Sequence, residues 1–80
     1  MYVYYCMARK RLNRIKIVLA EQDRSSSWLA EQVGKNKSTV SRWCSNSIQP
    51  TVEGLFEIAE ALDVDVRVLL VSTKSEGPRY

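Results

Sequence analysis

Apolar positions recur at helical spacing through most of the chain. Leu12, Ile15, Val18 and Leu19 fall at i, i+3, i+6 and i+7, which predicts a first helix ending before "DRSSS". The serine run supplies N-cap candidates for a second short helix, "SSWLAEQV", because a hydroxyl there can accept a free first-turn N–H. Gly34 can end that helix in the left-handed conformation of a tight turn. Asn36 can cap a third helix over about 37–46. "NSIQP" reads as a loop, with Pro50 or Thr51 at the next helix start. Val52, Leu55, Phe56, Ala59 and Leu62 then recur at i, i+3, i+4, i+7 and i+10, an amphipathic fourth helix.

The ends are less regular. Alternation of Val64, Val66 and Val68 with polar residues fits a strand, whereas Asp65 as a cap before "VRVLL" fits a fifth short helix, the preferred reading. The opening "MYVYYCM" alternates aromatic and β-branched residues like a short strand but has no evident hairpin partner. It is expected to be mobile or to serve a protein contact, and Met7 is an alternative start. The tail "TKSEGPRY" reads as unstructured. The expected organisation is a flexible, basic N-terminal extension at 1–11, a folded all-α domain at 12–71 and a flexible C-terminal tail at 72–80.

Two short helices joined by a glycine turn are the physical core of a helix-turn-helix. Small Ala30 lets the second and third helices approach, Gly34 makes the turn, and Val40 and Trp43 fill the angle between them. Projection of the third helix places Val40, Trp43 and Cys44 on an inward side. Lys37, Ser38, Ser41, Arg42 and Ser45 fall on the outward side, a short, polar, cationic face. Such a face suits a groove about 12 Å wide, where side chains reach base edges while hydroxyls contact phosphates.

Charge sharpens this picture. The net +3 conceals an asymmetry: residues 1–50 carry nine of the twelve Lys and Arg against three acids, hence +6, and residues 51–80 carry three against six, hence −3. A polyanion would approach the first part and avoid the second. At 80 residues there is room for one small domain. The sequence has two cysteines, no CxxC and no histidine, so no zinc set and no imidazole to activate a serine are available. No enzyme, no metal and no cofactor is expected. No apolar run approaches the ~20 residues of a membrane span, and a cytoplasmic protein with reduced thiols is the expectation.

The segments "LAEQVG" and "STVSRW", the Asn and Pro of the following loop, and "LFEIAEALDV" resemble the Cro/repressor-type (XRE-like) helix-turn-helix domain of bacteria and phages, over roughly residues 13–70. The resemblance implies a compact five-helix, lambda-repressor-like fold that binds DNA, commonly as a dimer. It places Lys37, Ser38 and Arg42 at base-reading positions, with Thr39 beside them. It places Ser26, Asn36, Ser41, Ser45 and Asn46 at positions that contact the DNA backbone. Arg9, Lys10, Arg11 and Arg14 would act on phosphates less specifically.

The departures from the family are informative. Ser26 stands where a glutamine is frequent, and Lys35 replaces an aliphatic residue. Trp28 stands at an often acidic, exposed position, where it either packs on the first helix or is exposed in a contact. The family often pairs a buried arginine in the first helix with a glutamate directly after the tryptophan; here those positions are Leu19 and Cys44. Losing both charges together avoids an uncompensated buried ion, which costs about 3–5 kcal/mol.

The expected function is sequence-specific recognition of double-stranded DNA by a transcriptional regulator, a repressor or controller protein. The partner would be a palindromic operator, bound by a homodimer with the helix at 37–46 in the major groove. The alternative is an antitoxin-like module whose main role is to bind a partner protein.

Overall fold

A computed structural model describes residues 11–73; the rest of the expected N-terminal extension, and the tail beyond residue 73, lie outside the described residues. Four α-helices follow one another: α1 (Ile15–Glu21), α2 (Ser26–Val33), α3 (Lys37–Cys44) and α4 (Val52–Leu62). Three of the starts are closed by side chains that satisfy otherwise unpaired first-turn N–H groups. Ser25 Oγ accepts from Trp28 N, Asn36 Oδ1 from Ser38 N, and Thr51 Oγ1 from Gly54 N. Gly34 ends α2 at φ 68°, a left-handed conformation that costs glycine no Cβ clash.

The expected fifth helix is a single 3-10 turn, Val66–Leu69. Asp65 does cap it, accepting from Arg67 N at 2.9 Å. The chain is already extended at Leu70, where it pairs antiparallel with Asn13. Arg14 N donates to Leu69 O at 2.7 Å, and Val71 N donates to Leu12 O at 3.0 Å. This pairing takes the backbone groups a longer helix would have used, so the fold is four helices and a turn rather than five helices.

The core gathers Ile15, Val18 and Leu19 from α1, Leu29 and Ala30 from α2, Val40 and Trp43 from α3, and Ile58, Ala59 and Leu62 from α4, with Leu69 closing it. Each large apolar side chain contributes about 1.5–3 kcal/mol on burial. The buried stripe of α4 is rotated from the one the spacing suggests: Ile58 is fully buried, while Val52 and Phe56 are 69% and 59% exposed. Leu12 likewise lies before α1 and is 46% exposed.

Asn13 takes the inward place beside Leu12 and is the buried polar side chain of the core. Its amide donates to Trp43 O at 2.9 Å and to Gln49 Oε1 at 2.7 Å, and its carbonyl accepts from Ile15 N at 3.1 Å. Asn46, just beyond α3, reciprocates: its Oδ1 accepts from Leu12 N at 2.8 Å and Asn13 N at 3.0 Å, and its Nδ2 donates to Asn13 O at 3.3 Å. The two asparagines clasp the end of α3 to the start of α1 across 33 residues of sequence.

Candidate nucleic-acid interface

Helix α3 is anchored on one side and free on the other. Val40 and Trp43 are buried, which fixes its rotation. Lys37, Ser38, Ser41, Arg42 and Ser45 are exposed, and Thr39 is half-buried beside them. Four outward side chains on successive turns therefore present two cations and two hydroxyls, counting Lys37, Arg42, Ser38 and Ser41. The serines keep the helix slim enough for a groove, and the long lysine and arginine stems extend the reach of its charge.

The polar groups around α3 divide into free and occupied ones. Ser38 Oγ donates to Asn36 Oδ1 at 2.6 Å, so its lone pairs face outward as acceptors. The Ser45 hydroxyl lies 3.1 Å from Arg42 O and 2.8 Å from Ser47 Oγ. Asn36 and Asn46 both spend their side-chain carbonyls within the protein, on the cap and on the clasp. Ser26 is the first residue of α2 and half-buried; Ser25 is the cap instead.

Two clefts flank the helix. The first, about 380 Å³, runs between α1, α2 and α3. Leu19 and Cys44 lie in it together, while Ser26, Ser41 and Ser45 bring hydroxyls. Lys16 and Arg24 supply its charge. The second, about 250 Å³, is lined by Arg11, Arg14 and Lys16 with Ser45 and Asn46 beside the end of α3. No acidic side chain lines either cleft, whereas the two other clefts described carry Glu57 and Glu60 of α4. The sequence-level charge asymmetry thus becomes a spatial one.

Arg11 and Arg14 are brought to the same end of the interface, and Arg14 is steadied by donating from Nη1 to Val68 O at 2.8 Å. Arg9 and Lys10 lie outside the described residues. Lys16 and Arg24, which along the sequence contribute only to the total charge, line the first cleft together. Trp28 is half-buried against the core, and the Arg24 guanidinium sits 4.3 Å from its ring centroid. Such a cation–π contact is worth about 0.5–1 kcal/mol at an exposed site and fixes where Arg24 points.

Cys44 is half-buried, packed against the core, and carries no disulfide. Burial pushes its thiol pKa up, and the nearby Lys16 ammonium offsets part of that rise. A thiol so placed is a small hydrophobe more than a nucleophile.

Comparison with known proteins identifies the family. Residues 15–69 match the helix-turn-helix family HTH_3, of the XRE type, and the chain belongs to that family of DNA-binding regulators. It is also similar to the crystal structure of "a putative DNA-binding protein from Bacteroides fragilis", with 57% sequence identity and a TM-score of 0.74 over 75% of this chain and 97% of that one. No curated protein matches the chain. Among the described residues no helix is long and apolar enough to cross a membrane.

Proposed function

We propose that the protein is a sequence-specific transcriptional regulator, a repressor or controller, that inserts α3 into the major groove of double-stranded DNA. The observation that carries this reading is the exposed face of α3 flanked by two clefts free of acidic side chains. Lys37, Ser38 and Arg42, with Thr39 beside them, read base edges. Arg42 carries the largest share because a guanidinium can hold guanine O6 and N7 together. Ser26, Ser41 and Ser45, with Arg11, Arg14 and the preceding Arg9 and Lys10, hold phosphates. Asn36 and Asn46 serve the backbone contact mainly by positioning the ends of α3, since their carbonyls are engaged internally.

The protein acts as a homodimer on a palindromic operator, and the exposed Val68, Leu70 and Val71 supply the apolar contact between copies. Selection of bound duplexes from a random library tests the reading. A symmetric motif is expected, with half-site centres about 34–36 Å apart. Failure to enrich any sequence would overturn it.

A further inference from the structure

We infer that the cleft between α1, α2 and α3 is a seat for one DNA backbone phosphate, held between Lys16 and Arg24. The inference rests on the DNA-binding reading above and assigns two residues to which that reading gives no role. Three observations carry it.

The cleft's polar groups all suit a phosphate. Lys16 and Arg24 bring the charge, and Ser26 and Ser41 bring hydroxyl donors, while the Ser45 hydroxyl beside them is engaged with Arg42 O and Ser47 Oγ. Phosphate is recognised by such a mixture of cations and hydroxyls. Neither cation has a carboxylate partner: the ion pair among the described residues is Arg67 with Asp65, which belongs to the 3-10 turn. Their charge is therefore available to a ligand.

The cleft floor is apolar. Leu19, Ala20 and Cys44 line it and no carboxylate does, so no internal acid competes for the two cations. Lys16 lines the same cleft as this floor.

The cleft also adjoins α3 directly, through Ser41 and Ser45. The cleft therefore opens beside the same helix whose outward face carries Lys37, Ser38 and Arg42. Arg24, which lines the cleft, is held by stacking on Trp28. Neutralising one phosphate in this seat would fix the depth of α3 without reading any base.

Fluorescence-anisotropy titrations of a random 30-bp duplex at several salt concentrations test the assignment. The slope of log K against log salt should fall by roughly 0.9 for each phosphate contact removed. Lys16→Gln and Arg24→Gln should each flatten the slope, and Arg24→Lys should restore it, whereas a role limited to packing on Trp28 would not be rescued by a lysine. Arg67→Gln, which removes the same charge at the Asp65 pair, should leave the slope unchanged. Methylphosphonate placed at successive positions should identify one phosphate whose neutralisation weakens the wild type but not the Lys16→Gln variant. Wild-type binding with an unaltered slope in both glutamine variants would overturn the phosphate seat and leave the DNA-binding reading standing. Absence of binding by the wild type at low salt would overturn both.

Discussion

The two ends of α3 are held in place by different chemistry. At its N-terminal end everything is local: Gly34 adopts φ 68° and Asn36 caps a helix one residue away. At its C-terminal end Asn46 also adopts a left-handed conformation, φ 65°, but uses its side chain to grip Leu12 and Asn13 at the far end of the chain. The first end sets the angle between α2 and α3. The second sets where α1, with Arg11 and Arg14 at its start, stands relative to the outward face. A recognition helix needs both, because its residues reach bases only if the flanking cations meet the phosphates at the same time.

The largest loss is expected at the long-range end. Asn46→Ala removes three acceptor bonds and one donor bond and leaves an alanine in left-handed backbone. We expect destabilisation of about 2–3 kcal/mol in urea denaturation. Asn46→Gly should recover about 1 kcal/mol of that by relieving the backbone, and Asn46→Asp, which keeps the acceptor oxygen, should lose least. If glycine matched wild type, the clasp would contribute nothing and the comparison would collapse.

Next comes the half-buried thiol at the end of α3. Cys44→Glu places a charge against the core beside Leu19 and should cost about 1–2 kcal/mol, since partial exposure and Lys16 spare it the full burial penalty. Adding Leu19→Arg should return part of the loss. A thermal-melt cycle on these two changes that shows no coupling would remove the contact from the account.

The local end should be milder. Gly34→Ala forces a Cβ into left-handed backbone for about 1 kcal/mol, although no neighbouring atom would meet it. Asn36→Ala should cost about 1 kcal/mol as a lost cap. A loss at Gly34 larger than that at Asn46, read from the same urea curves, would invert the ranking of the two ends.

The smallest effect concerns the turn that anchors α1 from the other side. Hydrogen bonds from the Arg67 side chain and backbone hold the Asp65 carboxyl below its ordinary pKa. A depressed folded-state value means a contribution that is complete above the unfolded pKa of about 3.9 and lost as pH falls through the lower folded one. Melting temperature should therefore drop slightly more in wild type than in Asp65→Asn between pH 5 and pH 3. Parallel curves would show that the pair is inert.

How far the sequence exposes this architecture follows from the same contrast. Ser25, Gly34, Asn36 and Thr51 act within a few residues of themselves, so their roles as cap or turn candidates can be read along the chain. The faces of α3 were legible too, because Val40 and Trp43 leave one way to rotate it. Asn13, Asn46 and Gln49 were not: an asparagine in a serine-rich loop looks like any turn residue, and the backbone groups that Asn46 grips, at Leu12 and Asn13, lie 34 and 33 positions away. In α4, Ile58 lies outside the apolar run that Val52 and Phe56 begin, so the true stripe appears only once α2 and the 3-10 turn are packed against it. Lys16 and Arg24 are separated along the chain and become neighbours only through the crossing of α1 with α2 and α3.

Sequence-specific recognition depends most on the outward face of α3 reading bases, and Arg42 tests it most directly. Binding of Arg42→Ala should be measured on the selected operator and on a random duplex at one salt concentration. A loss of about 1–3 kcal/mol on the operator, with relaxed preference at one base position and a smaller loss on random DNA, is predicted. Equal losses on the two duplexes would contradict it, reducing Arg42 to a phosphate contact and α3 to a helix that lies on DNA without reading it.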